Sequence, residues 1–337
     1  MKAMLMRGTV SLDETDAPLE LADIPEPTPG PGDVLLRVMT CGVCHTELDE
    51  IEGRAPPSRL PIILGHEVVG RVVELGRGVT QHQEGDRVGV GWIHHSIGGT
   101  DENLSPDFRA TGRDANGGYA EYMTVPADYA YPIPSTFSNE HAAPLLCAGA
   151  IGYRALKLTN LVDGQRLGLT GFGGSAHLVI QLARHMFPNS DVYVFARDAE
   201  AWAFARQLGA AWSGDTSERA PQPLHAIIDT TPAWKPVVEA MKNLTPGGRL
   251  VINAIRKEDA DKAYLQHLNY HEDLWMEREI KSVANITHHD IRDFLPVAAA
   301  IPIQPTIETY RLEEANRALV ELKCGQIRGA KVLAIGG

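Results

Sequence analysis

Cysteine is scarce in this chain: 337 residues contain four, Cys41, Cys44, Cys147 and Cys324. That is too sparse for a disulfide framework, so metal binding or burial must account for them. Positive charge is also short, with 31 Lys and Arg against 43 Asp and Glu and a formal net charge of -12. A field of that sign repels phosphate backbones and anionic headgroups, so neither nucleic acid nor a membrane surface is an expected partner. No uninterrupted apolar run has the length of a signal-peptide core or a membrane span, and the expected location is the cytoplasm. Internal repeats and low-complexity tracts are missing too. At 44% hydrophobic and 22% charged, the remaining composition is that of a globular chain, and its length fits about two domains.

The texture changes near residue 150. Before it, Pro and Gly recur at short intervals, as in Ala55-Pro56-Pro57 and Gly85-Asp86, between β-branched runs such as Val34-Leu35-Leu36-Arg37-Val38 and Val68-Val69-Gly70-Arg71-Val72-Val73. These have strand length and strand composition, so this half reads as mostly β. After it, strand and helix patterns alternate: a strand at 167–170, a helix over 176–187, a strand at 192–196, and a helix capped by Asp198 that runs to Leu208 and stops at Gly209. A strand at 226–229, a helix around 237–244 and a strand at 249–253 follow. Such alternation predicts right-handed βαβ units and a parallel sheet. The last stretch holds an amphipathic helix over 312–323 and a strand at 331–335. It is too short to stand alone and is expected to complete the N-terminal β half.

Gly171-Phe172-Gly173-Gly174-Ser175-Ala176 fits G-x-G-x-x-G/A, after a predicted strand and opening a predicted helix. Gly171 would make the tight turn, Gly173 would let a pyrophosphate approach the backbone, and Ala176 would let helix and strand pack closely. Gly174 and Ser175 complete the loop, and the helix N-terminus adds unpaired N–H donors. The alternative is a plain strand-to-helix turn, which the flanking βαβ pattern disfavours. The residue ending the second strand separates the dinucleotides, because a carboxylate there accepts the ribose hydroxyls of NAD and repels a 2′-phosphate. Here it is Ala196, followed by Arg197. Either Arg197 meets a 2′-phosphate, which leans the cofactor towards NADP(H), or it is a solvated loop residue beside a helix cap at Asp198.

Cys41-Gly42-Val43-Cys44-His45-Thr46-Glu47 precedes Gly65-His66-Glu67 and, much later, Leu145-Leu146-Cys147-Ala148-Gly149. A catalytic zinc takes three protein ligands and keeps one open position, and Cys, His and Cys is a known set. Alone, Cys-x-x-Cys is ambiguous between structural zinc, a redox dithiol and chance; its place in the β half rather than at a helix start after a βαβ strand speaks against the dithiol.

With these stretches, Gly85-Asp86-Arg87-Val88, Gly117-Gly118-Tyr119-Ala120-Glu121-Tyr122 and the nucleotide loop all in one order, the whole chain resembles the zinc-dependent alcohol dehydrogenases of the medium-chain dehydrogenase/reductase superfamily. The resemblance implies an α/β protein with a GroES-like β-rich catalytic domain from residues 1–150 and 286–337, and a Rossmann doubly wound parallel-sheet domain from 151–285. It places the active site in the cleft between them and implies a homodimer or homotetramer.

Residue by residue, the resemblance implies that Cys44, His66 and Cys147 hold the catalytic zinc. Glu67 matches a carboxylate that can approach the metal, and Thr46 the hydroxyl that hydrogen-bonds the substrate oxygen. Glu47 stands where an acid holds the ligand histidine. His45 could face the cofactor phosphates or the solvent. Cys41 is no ligand in that pattern. The implied chemistry is hydride transfer between NAD(P) and a small alcohol, aldehyde or ketone, with zinc as the Lewis acid and Thr46 starting a proton relay. Competing readings are a zinc-free reductase of activated C=C bonds and a non-catalytic nucleotide-binding protein, and the retained ligands argue against both. Trp92, Ile93 and Ile51 either line an apolar pocket or belong to the core.

Three departures stand out. Asp49 takes the place of the histidine that often ends the relay, and its other reading is a solvated loop carboxylate. Ala330 takes the place of a pyrophosphate-binding arginine, leaving Arg328 or Lys331 as substitutes. The lobe that carries four structural-zinc cysteines in the family is here 94–105, without cysteine and shorter. One zinc per chain and no structural zinc are therefore expected, with Gly98-Gly99 closing the loop as a turn.

Overall fold

The β-branched run at Val34 becomes the middle of an eleven-residue strand, Asp33–Val43, around which the first half of the protein is built. In the computed structural model, which describes residues 1–301, 303–325 and 329–336, this strand buries Val34, Leu35, Leu36 and Val38. It pairs antiparallel with Val68–Leu75 on one side. On the other side Tyr122–Pro126 covers its first part and Ala330–Ala334 its last part. The seven-stranded sheet runs Tyr131–Pro132, Arg87–Val90, Val68–Leu75, Asp33–Val43, Ala330–Ala334, Ile307–Arg311, with Tyr122–Pro126 beside the central strand. The closing strand of the chain thus sits inside the N-terminal sheet. The amphipathic segment before it begins as a 3₁₀ turn, Leu312–Glu314, and is α-helical only over Ala315–Lys323. Its buried residues Ala315, Ala318, Leu319 and Leu322 recur at helical spacing on one face.

The chain divides into two compact units, Met1–Ala150 with Asn285–Gly337, and Ile151–Ala284. The second is a doubly wound sheet of six strands, in spatial order Trp212–Gly214, Val192–Phe195, Leu167–Thr170, Leu224–Asp229, Leu244–Ile252, Glu279–Ser282. Every neighbouring pair is parallel. Strand order reverses between Leu167–Thr170 and Leu224–Asp229, and in open parallel sheets ligands bind outside the carboxyl ends at such a reversal. Ala176–Met186 opens directly after the glycine-rich turn. Asp198 caps Ala199–Gln207 by accepting the N–H of Ala201 at 2.8 Å, and Gly209 leaves the helix at φ +96. The helix expected around 237–244 lies earlier, at Lys235–Met241: Pro236 is tolerated in its first turn, and Leu244 already opens the next strand. No helix among the described residues is long and apolar enough to cross a membrane.

Candidate metal centre and nucleotide site

Cys44 follows the central strand of the first unit and caps a short helix, His45–Ile51. His66 and Glu67 immediately precede the Val68–Leu75 strand. Cys147 lies at the junction between the Ala143–Leu146 turn and the Ala148–Leu158 helix. One ligand atom from each of Cys44, His66, Glu67 and Cys147 lies within 4.8 Å of all the others. Among the described residues no second group of this kind occurs. Glu47 braces the cluster from the helix: one carboxylate oxygen accepts the Cys44 N–H at 2.8 Å, and the other meets Nδ1 of His66 at 2.6 Å. Nδ1 therefore carries the proton. Nε2 of His66 is buried without a hydrogen-bond partner, the ring nitrogen open to an ion once its proton is lost.

The electrostatics fit a cation. The hydrogen bond from Cys147, assisted by His66, holds the Cys44 thiol well below its ordinary range despite burial. The same shared proton, with burial, pushes Cys147 well up. Burial and the Cys44 thiolate raise Glu67. Burial would lower His66, but Glu47 and Cys44 overcome it and favour a positive imidazole. A dication at Nε2 would supply that positive charge and relieve the crowded acids. Two thiolates, an imidazole and a carboxylate form a donor set suited to zinc.

Thr46 is buried, with its hydroxyl 3.7 Å from the Cys44 sulfur. His45, at the helix start, is exposed. Asp49 is not a solvated loop carboxylate: it lies in the helix, is buried, and accepts Nε of Arg54 at 2.6 Å. Cys41 is fully buried. Ile51 and Ile93 are fully buried core residues, whereas the Trp92 ring lies 6.3 Å from the His66 ring and packs on Phe108. Sequence reasoning missed Glu50, a fully buried acid whose two oxygens have no hydrogen-bond partner. Its signal was available, since it follows Thr46 by four residues and Glu47 by three on the same helix.

The shortened lobe has its own fastening. Gly98 and Gly99 both take positive φ, +74 and +94, and close the turn. Glu102, fully buried, accepts the N–H of His288 at 2.5 Å and meets its Nδ1 at 2.6 Å, while its other oxygen accepts the Tyr129 hydroxyl at 3.0 Å. The Ser96 hydroxyl donates to the Glu102 carbonyl at 2.8 Å. One carboxylate thus ties the lobe to two distant segments.

In the second unit Gly171 turns at φ +76, and a Cβ there would meet Thr231 at 2.8 Å and Thr230 at 3.0 Å. A Cβ on Gly173 would meet nothing within 4 Å, which leaves the backbone approachable. Gly174 and Ser175 complete the turn, and buried Ala176 opens the helix. The Ser175 hydroxyl accepts from Asn253 at 3.2 Å, a contact across 78 residues that no local pattern announces. The strand stops at Phe195, so Ala196 is buried just beyond it, and its carbonyl accepts Nε1 of Trp202 at 2.9 Å; Arg197 is exposed beside it. Lys331 does not serve as a replacement phosphate ligand. It is fully buried and bonds Glu308, Tyr310 and Glu321 at 3.0, 2.5 and 2.8 Å, so its ammonium is fully engaged. Arg328 lies outside the described residues.

A zinc-type donor cluster in a β-rich unit assembled from both chain ends, with a dinucleotide-type sheet inserted in sequence, defines a medium-chain dehydrogenase/reductase. Residues 30–135 match the alcohol dehydrogenase GroES-like domain. "Probable alcohol dehydrogenase AdhA" of Mycobacterium tuberculosis is 44% identical over 329 residues, 94% of this chain and 93% of that protein. An alcohol dehydrogenase of Geobacillus stearothermophilus is 31% identical over 96% of this chain and 98% of its own. The chain belongs to the alcohol dehydrogenases of that superfamily and is an enzyme of that kind. A solved structure of a thermostable alcohol dehydrogenase from Pyrobaculum aerophilum, described as cobalt and zinc bound, shares the fold with a TM-score of 0.84 at 24% identity, covering 99% of each chain.

Proposed function

We propose that the protein is a cytoplasmic zinc- and nicotinamide-dependent oxidoreductase that moves a hydride between NAD(P) and a small alcohol, aldehyde or ketone. The observation that carries this is the convergence of Cys44, His66, Cys147 and Glu67 within 4.8 Å, with a buried, unpartnered Nε2 among them. Zinc held there supplies a Lewis acid to the substrate oxygen, and the nicotinamide supplies the hydride acceptor or donor. Glu47 fixes the imidazole tautomer and ring orientation. The hydroxyl of Thr46, beside Cys44, takes the substrate proton and passes it outward, and Asp49 sets the electrostatics at the end of that path. The turn from Gly171 to Ala176 would hold the pyrophosphate on backbone N–H groups, and exposed Arg197 would be the residue to accommodate a 2′-phosphate.

Exposed Ile280 lies on the edge strand Glu279–Ser282, and an unpaired edge of this kind is a template for a second copy. The enzyme is accordingly a homo-oligomer, and a single-chain mass in light scattering refutes that.

The deciding experiment combines elemental analysis with a panel of alcohols, aldehydes and enones read with each nicotinamide cofactor. About one zinc per chain is expected, with activity lost on chelation and in His66→Ala while nucleotide binding persists. Undiminished turnover by zinc-depleted enzyme refutes the mechanism.

A further inference from the structure

Asp229 ends the strand Leu224–Asp229 and is the register partner of Thr170, which ends the neighbouring strand Leu167–Thr170. It therefore sits at the reversal of strand order, under the region where a dinucleotide binds. Its carboxylate is fully buried. One oxygen accepts the hydroxyls of Thr170 at 2.6 Å and Thr231 at 2.8 Å. The other is held by the ammonium of Lys257, which also donates to the carbonyls of Thr231 at 2.7 Å and Ala233 at 3.0 Å. The Lys257 side chain is only 8% exposed. Thr231 in turn packs against Gly171, where an added Cβ would lie 2.8 Å from its methyl group. A buried carboxylate is thus one side chain away from the turn that receives the pyrophosphate.

Unpaired, that carboxylate would repel the nucleotide's phosphates through a medium that screens poorly. We propose that Lys257 is a charge mask: it cancels Asp229, so that the acid can clamp the ends of the neighbouring strands Leu167–Thr170 and Leu224–Asp229 through its threonine bonds without weakening nucleotide binding. Lys257 then acts without touching the nucleotide, and all of its donors point inward to Asp229 and the two carbonyls. The proposal rests on the dinucleotide reading of the glycine-rich turn.

A mask and a simple brace predict different signs. If the pair only braces the loop, removing either partner weakens nucleotide binding. If Lys257 masks charge, its loss weakens binding, whereas loss of Asp229 leaves an uncompensated cation that does not. NADH and NADPH are titrated by fluorescence against the full-length parent, K257M, D229N and the double variant. K257M is expected to weaken both nucleotides by on the order of ten-fold. D229N is expected to bind within about two-fold of the parent or more tightly, and the double variant to recover at least about half of the K257M loss on a logarithmic scale. A K257M loss under about three-fold, a D229N loss above about two-fold, or a double variant short of that recovery each overturns the mask. Should K257M fail to fold, D229N decides by the same criterion. A parent that binds neither nucleotide overturns the dinucleotide reading itself, and the parent titration distinguishes that failure from failure of the mask.

Discussion

Replacing Glu102 with Ala tests whether hydrogen bonding, rather than a second metal, holds the shortened lobe. The change removes the acceptor for the backbone N–H and ring Nδ1 of His288 and for the Tyr129 hydroxyl, bonds of 2.5, 2.6 and 3.0 Å around a fully buried carboxylate. Hydrogen bonds to a charged group contribute about 1.5 to 3 kcal/mol each, but burying the carboxylate offsets part of that sum. Breaking one partner out of a buried pair costs about 3 to 5 kcal/mol, which sets the expected loss. For a unit of this size that lowers the melting temperature by roughly 6 to 20 °C. Glu102→Gln, which keeps one acceptor but turns a donor towards the others, should lose about half as much. Calorimetry gives the shift, and elemental analysis of the same samples should still return the parent's zinc content. A shift below about 3 °C, or zinc lost together with the lobe, refutes the argument. The network also has a pH signature. Burial and Glu102 push the Tyr129 phenol up to about 12. A raised folded-state value stabilises below the unfolded value of about 10 and is lost as pH climbs through the folded one. The parent should therefore lose this contribution between about pH 10 and 12, and Glu102→Gln should show less of that loss.

The remaining predictions concern cofactor choice and the proton path. Arg197→Ala should raise the KM for NADP(H) by about ten-fold and leave that for NAD(H) nearly unchanged; a strong NAD(H) preference unaltered by the substitution refutes the assignment. Asp49→Asn removes the charge that Arg54 pairs at 2.6 Å, and it should shift the pH profile of alcohol oxidation without changing zinc content. A profile identical to the parent's would assign Asp49 a purely structural role as the partner of Arg54.

The parallel sheet was legible because each βαβ unit writes its own local pattern: apolar strand, glycine turn, capped helix. Asp198 and Gly209, for example, carry the start and stop of one helix within a dozen residues. The metal cluster was legible in another way. Nothing in the spacing of Cys44, His66 and Cys147 brings them together; their resemblance to a family did so, and the fold places the three side by side. What stayed hidden is long-range and polar. Glu102 and His288 are separated by 186 positions, and no periodicity links a lone acid to a distant histidine. Lys331 looked like an available cation because a sequence displays its charge and not its partners Glu308, Tyr310 and Glu321. Asn253 and Lys257 were silent for the same reason, since both act across turns that only tertiary packing sets.

The central strand's interleaved neighbours impose an order on synthesis. Residues Thr40 to Val43, immediately before Cys44, find their partner in Ala334 to Lys331, which are made long after them. Until these leave the ribosome, that stretch is an open strand edge, liable to pair with another chain. The inserted unit, Ile151–Ala284, is continuous and needs no later residue for its sheet. Nascent chains therefore carry a finished parallel sheet while the stretch before Cys44 still lacks its partner strand. A chain cut a few residues before Lys331 would keep Cys44, His66, Glu67 and Cys147 and lose the strand that pairs with the residues just before the first of them.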